Sequence, residues 1–265
     1  MKNSTTGTNS NEYGNSTVLK VALLAMAFMA GYAGYAGNPN PSISPPNSQP
    51  YGKTYDEWSA AWWQWALSIP ADINPLLDST GANAGVGQSG DVWFLAGTFG
   101  GGPVSRAITV PAGKGLFFPI VNFVWVTSCP EEPQTASAIR PIVAPAADAA
   151  VDLACTVDGV PVANLSSYRT ESPLFNVTLP DNNLFGAPGC TCTFGPSLDQ
   201  GFYLMLAPLP PGHHTIHFHG ALSAPIGPIQ VVSANPANPC YPDGESVTWS
   251  PFTEDITLNI TVSAK

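Results

Sequence analysis

The stretch Leu209–Gly220, L-P-P-G-H-H-T-I-H-F-H-G, decides how this chain reads. Pro210, Pro211 and Gly212 break any regular element and set a turn. From His213 onward polar and apolar residues alternate, which is the period of a half-buried strand. On such a strand His217 and His219 share one face, while His214, Ile216 and Phe218 take the other. The stretch also holds all four histidines of the chain.

Outward from this strand the same period recurs. In Phe252–Val262, Ile256, Leu258, Ile260 and Val262 point inward, and Asp255, Thr257, Asn259 and Thr261 outward. Val104–Val110 puts Val104, Arg106, Ile108 and Val110 on one face. Gly115–Val126 (G-L-F-F-P-I-V-N-F-V-W-V) is apolar throughout, so it is buried on both faces or bends at Pro119. Asp158-Gly159 between valines predicts a hairpin in Thr156–Val162. Asp91–Thr98, Leu174–Leu179 and Gly201–Ala207 complete the predicted strands, and Ala144–Ala154 reads as a short Ala-rich helix. One helix precedes them. Thr54-Tyr55-Asp56-Glu57 is a capping box, and the helix runs to Ser68, stopping before Pro70. Tyr55, Trp58, Trp62 and Trp65 form its aromatic stripe, which buries the helix against the strands. The other reading makes Trp58–Trp65 an exposed platform for a sugar. The fold class predicted is all-β: a β-sandwich, immunoglobulin-like or jelly-roll, with an N-terminal Trp-rich helix.

Composition agrees. Of 265 residues only 10% are charged, with 25 Gly and 28 Pro, which suits short strands and turns rather than a helical bundle. The net charge is −10 with eight Lys and Arg, so no basic surface for nucleic acid can be assembled. Residues 1–37 read as a signal peptide: Val21–Ala36 is apolar, and Gly31/Ala33 and Gly34/Ala36 fit a cleavage pattern. An uncleaved membrane anchor is the alternative, and the only predicted contact with a membrane. Residues 38–52 are a Pro/Ser/Asn linker, and 53–265 the β domain. The expected location is extracytoplasmic: secreted, periplasmic or cell-surface. Five cysteines, Cys129, Cys155, Cys190, Cys192 and Cys240, would there form two disulfides with one thiol over. Cys190 and Cys192 are too close to bond each other easily, so the expected pairs are Cys129 with Cys155, and Cys240 with Cys190 or Cys192.

Two stretches carry a resemblance. Val157-Asp-Gly-Val-Pro-Val162 and Leu209-Pro-Pro-Gly-His-His-Thr-Ile216 resemble the hairpin and turn-strand of immunoglobulin-like modules in bacterial surface proteins. With W-W-Q-W-A-L-S-I-P at 62–70, V-W-F-L-A-G at 92–97 and V-P-A-G-K-G-L-F-F-P-I-V-N at 110–122, the chain looks like a group of uncharacterised exported bacterial proteins. The likeness covers most of 53–262. It implies fold and export, and brings no activity and no functional residues with it.

The candidate chemistry is thin. His217 and His219, about 7 Å apart at Cα, can chelate zinc or copper. His213 shares their face about 13 Å away at ~3.3 Å per residue, so a third ligand would be a carboxylate or Cys from a neighbouring strand. His217-Phe-His219 matches the zinc strand of α-type carbonic anhydrases only superficially, since the Trp and third His are missing. No G-x-S-x-G elbow occurs, and Gly100–Gly102 lacks the Lys-Ser/Thr of a phosphate loop. Asp56, Glu57, Asp72, Asp78 and Asp91 offer no pair marked for hydrolysis, and Arg106 and Arg169 are expected to answer acidic partners. The leading expectation is a non-enzymatic module that binds a surface protein or glycan, without a cofactor. The alternatives are a metal site at His217 and His219, and sugar binding by Trp58–Trp65.

Overall fold

The alternation in Phe252–Val262 becomes the centre of one of two sheets. The computed structural model describes residues 42–127, 135–186, 193–230 and 246–264. In chain order its elements begin with α1 (Tyr55–Ser68), β1 (Val92–Phe94), β2 (Val104–Pro111), β3 (Gly115–Val126), α2 (Ala136–Asp148), β4 (Ala150–Val157) and β5 (Val160–Pro161). There follow β6 (Arg169–Glu171), β7 (Phe175–Thr178), β8 (Thr193–Leu206), β9 (Gly212–Leu222), β10 (Ile226–Gln230), β11 (Ser246–Trp249) and β12 (Phe252–Ser263).

Sheet one has the order β1-β3-β8-β6, with β7 also on β8; sheet two has the order β2-β12-β9-β4-β5. Both are mixed, because β1 runs parallel to β3 and β2 parallel to β12 while the other pairs are antiparallel. β10 and β11 form a separate ribbon. The inner positions of sheet two are the apolar set expected from the alternation: Ile216, Phe218, Ile256, Leu258, Ile260 and Val262 are all buried. They meet sheet one directly. The rings of Phe118 and Phe218 lie 5.2 Å apart, and at Gly220 a Cβ would approach the Ile120 carbonyl to 3.2 Å. A side chain there would press the two strands apart by a few tenths of an ångström.

The capping box forms as expected: Thr54 Oγ1 accepts from the Glu57 amide at 3.2 Å and Glu57 Oε2 from the Thr54 amide at 2.8 Å. The helix it starts is buried nearly all round, with Tyr55, Trp62, Trp63, Trp65, Ala66 and Leu67 all inside. Such burial is tolerable because each polar tip finds a partner. Trp62 Nε1 donates to Leu95 O at 3.0 Å, Trp65 Nε1 to Val86 O at 2.9 Å and Trp58 Nε1 to Pro50 O at 2.8 Å. Tyr55 OH donates to Ser44 O at 2.7 Å and accepts from the Met205 amide at 3.1 Å, tying the entering chain to the end of β8.

Three expectations are corrected. The helix placed at Ala144–Ala154 is α2, Ala136–Asp148, and β4 starts at Ala150. Pro141 and Pro145 hid its first half; both sit on the exposed side, where their rings disturb no packing, and Thr135 caps the start with Oγ1 accepting from the Ala138 amide at 3.3 Å. β8 begins at Thr193 rather than Gly201, and β1 is only three residues long. The Asp158-Gly159 hairpin stands, with φ of 51° and 77° at the two turn residues. Trp62 is only 1% exposed, so Trp62→Ala is expected to cost about 3–5 kcal/mol in chemical denaturation. A loss under about 0.5 kcal/mol would mean its packing carries little of the fold.

Candidate functional site

Two groups of polar residues stand out: an outer face on sheet two and two carboxyl groups sealed in the interior. The outer face follows from strand register. Ser105, Thr257, His217 and Thr156 form one rung across β2, β12, β9 and β4. Along β9 and β12 the neighbouring rungs pair Asp255 with His219, Asn259 with Thr215 and Thr261 with His213. Together these side chains make a polar outer face.

The face brings the predicted histidines together only in part. His217 and His219 share it as expected, and His213 lies at its far end, where its Nδ1 is 3.2 Å from Thr261 Oγ1. His217 Nε2 lies 2.8 Å from Asp255 Oδ1, on the strand where a third ligand was sought. Among the described residues, however, no three His, Cys, Asp or Glu side chains converge closely enough to hold a metal ion. His214 points the other way and staples the turn: its Nδ1 is 2.7 Å from Asp158 Oδ2 and its Nε2 2.9 Å from Pro210 O. Partial burial pulls its pKa down, but the bonds to Asp158 and Pro210 outweigh this and raise it above the ordinary histidine value.

The aromatic platform is not exposed. Trp62, Trp63 and Trp65 are buried, and the half-buried Trp58 packs against the same core, meeting Phe94 edge-on and Phe117 at a tilt. Their polar edges face carbonyls, or in one case a carboxyl, and the rings of Trp62, Trp63 and Trp65 are covered.

The sealed carboxyls are Asp199 and Glu254, neither singled out from sequence. Asp199 lies on β8 with 0% exposure. Its Oδ1 accepts from Trp63 Nε1 at 2.8 Å and from Tyr203 OH at 2.9 Å, and Asn122 Nδ2 donates in turn to the Tyr203 oxygen at 2.8 Å. Its Oδ2 has no partner. Burial raises this carboxyl to about 7, against the downward pull of the Trp63, Tyr203 and Ser59 donors. Glu254, on β12, is 2% exposed; its Oε1 accepts from the Thr98 amide at 3.2 Å and its Oε2 has no partner. Burial raises it to about 8, with the Thr98 amide and the Arg106 charge acting the other way. Glu254 was detectable in principle, because it falls in phase with the inward residues Ile256 and Leu258. Asp199 was not, because β8 is buried on both faces and has no phase to violate.

Arg106 and Arg169 part company. Arg169 meets an acid as expected, with Nη1 2.6 Å from Asp148 Oδ1. Arg106 is buried and donates to three backbone carbonyls: Nε to Asp78 at 2.7 Å, Nη1 to Ala96 at 2.6 Å and Nη2 to Gly97 at 3.0 Å. Beside it is a cavity of about 10 Å³ lined by Asp78, Phe94, Ala96, Arg106 and Leu258 among others, room for about one water and no more. The remaining acids named from sequence have local tasks. Glu57 caps α1, Asp72 accepts from Asn182 Nδ2 at 2.9 Å, and Asp78 accepts from the amides of Thr80 and Asn83, which with other loop donors hold it at about 2 despite partial desolvation.

Cys155 is a free thiol buried opposite Phe218, so the expected Cys129–Cys155 bond is not formed here; Cys129, Cys190, Cys192 and Cys240 lie outside the described residues. So do the predicted signal segment and the first residues of the linker, 38–41. Among the described residues no helix is long and apolar enough to cross a membrane. The chain matches no protein-family model, no curated protein and no solved structure.

Two outcomes follow from this geometry. A Cβ on Gly97 would stand 2.4 Å from Glu254 Oε2, so Gly97→Ala is expected to destabilise the protein. Much of that cost should vanish in a Glu254→Ala background, a coupling of about 1 kcal/mol or more in a double-mutant cycle; additive effects would show that the two do not press on each other. Burial also pushes the Cys155 thiol up to about 12, so it should resist thiol reagents in the native state and react only on unfolding. Prompt native labelling at Cys155 would mean that β4 opens readily.

Proposed function

We propose that this chain is an exported, non-enzymatic extracytoplasmic module that binds a surface protein or glycan through the polar outer face of sheet two. Its fold is then a β-sandwich of immunoglobulin-like or jelly-roll type, a reading supported by two mixed sheets sharing the Phe118–Phe218 core. The observation that carries the function is the division of its polar groups. The two carboxyls with strongly raised pKa values are sealed away from any substrate, whereas His213, Thr215, His217, His219, Thr257, Asn259 and Thr261 line an open face. A polar sheet face open to solvent suits a partner's surface better than a small substrate, whose sites are concave and mostly apolar. Export rests on the sequence of residues 1–37 alone.

A second reading, a zinc or copper site at His217 and His219, draws on Asp255. That residue is bonded to His217 and lies directly across from His219, so modest side-chain rotations would bring three ligands onto one face.

One pair of variants separates the two. Thr257→Lys with Asn259→Lys should leave the melting temperature unchanged and weaken co-sedimentation with isolated cell envelopes by about tenfold, or roughly 1.4 kcal/mol. Undiminished sedimentation would remove the face from the binding role. Stoichiometric zinc or copper by elemental analysis, lost in His217→Ala with His219→Ala, would turn the reading to the metal.

A further inference from the structure

Asp199 sits where α1 meets sheet one, and its surroundings suit a neutral acid better than an anion. Oδ1 already takes two donors, while Oδ2 faces the interior without one. The groups around the carboxyl come from every packed element. From α1 come Trp63 and the fully buried Ser59, whose hydroxyl donates to Asp56 O at 2.9 Å and can turn to the carboxylate only by giving that bond up. From β8 comes Tyr203, the one other titratable group in contact, and β3 supplies Asn122 behind it. After β6, Ser172 Oγ accepts from the Asp199 amide at 2.9 Å and fixes the backbone. Farther along α1 and β6 lie Asp56 and Glu171. Glu171 is turned to Arg140 and Gln200, and Asp56 is itself raised by burial and by Glu171. No Lys, Arg or His side chain among the described residues bonds to Asp199.

We propose that Asp199 is a proton-operated catch for α1: with a proton on Oδ2 the helix is held on sheet one, and when that proton leaves for solvent the helix loosens while the sheets stay formed. An ionised Oδ2 has no donor as the side chains stand, and the Ser59 hydroxyl would have to leave Asp56 O to supply one, so the carboxylate is relieved most cheaply by admitting water as the element that covers it shifts. That element is α1, which meets Asp199 through Trp63. β8 cannot move as easily, because β3 pairs with it from Leu116 to Val126 and Ser172 holds its other side. The sign follows from linkage. A folded carboxyl at about 7 keeps a proton that the unfolded chain loses near the ordinary aspartate value, so stability falls as pH rises through that window and levels off above it. Glu254 and His214, both raised, act in the same direction on global stability but touch sheet two and its turn, not α1.

The test is hydrogen exchange of the intact protein at about pH 5 and about pH 8.5, corrected for the intrinsic rate, with α1 read against β3, β8 and β12. Protection of α1 should fall by at least about tenfold at the higher pH while the strands keep theirs, since each pH unit between the ordinary aspartate value and about 7 shifts the balance about tenfold before it levels off. Asp199→Asn carries a permanent donor in place of the proton and should keep α1 protected at both values. Glu254→Gln leaves Asp199 intact and should retain the wild-type loss, which keeps the test decisive should Asp199→Asn not fold. Equal protection of α1 at both pH values, equal loss across helix and strands, or an undiminished loss in Asp199→Asn would each overturn the catch.

Discussion

Burying the aromatic side chains of a 14-residue helix sets the terms for the rest of this structure. Tyr55, Trp62, Trp63 and Trp65 supply apolar area that a five-stranded sheet needs on its helix-covered face, but each carries a polar tip that cannot be left dry. Segments that look irregular in sequence are therefore pinned: the 50–52 turn by Trp58, the 84–88 loop by Trp65, and the chain after β1 by Trp62. Trp63 differs from its neighbours. Its partner is a carboxyl rather than a backbone carbonyl, which makes the contact between helix and sheet sensitive to a proton.

Sheet two solves the complementary problem with one cation. The long connection between α1 and β2 holds little regular structure and must lie against the inner face of β2 and β12. Arg106 organises it by taking three carbonyls from Asp78, Ala96 and Gly97, and Gly97 lacks the Cβ that would strike Glu254. A guanidinium suits this work because its fork of donors is rigid. An acid partner across a strand would have satisfied Arg106 too, but it would have left the 78–97 backbone without an anchor.

What could be read from the sequence was whatever repeats with a period or has a local rule. The alternation of β9 and β12, the capping box at Thr54 and the Asp158-Gly159 turn all depend on residues within a few positions of one another, and all appear where expected. α2 was misplaced because its prolines obey tertiary rather than local logic: they are harmless only because that side of the helix faces solvent. The outer face of sheet two was half legible. Its rows were set by period, but the neighbour of His217 depended on which strand lay alongside, and the β2-β12-β9 order follows from a parallel pairing that no local signal announces. Asp199 was the least legible, since its environment is assembled from α1, β3, β8 and the segment after β6.

The scarcity of cations, plain in the composition, then acquires a structural meaning. Of eight Lys and Arg, the five that lie within the described residues all have work elsewhere. Lys53 sits 5.6 Å over the Trp58 ring, Lys114 bonds the Gly90 carbonyl, Arg140 and Arg169 face Glu171 and Asp148, and Arg106 holds three carbonyls. None bonds Asp199 or Glu254. A protein richer in basic residues could neutralise an interior carboxylate with an ion pair whose strength hardly changes across neutral pH. This chain has eighteen acids against eight bases, and the neutralising agent left to it inside is the proton itself. Both buried carboxyls are therefore held in their acid form up to neutrality, and the interior of the protein is a better solvent for them in mildly acidic surroundings than in alkaline ones.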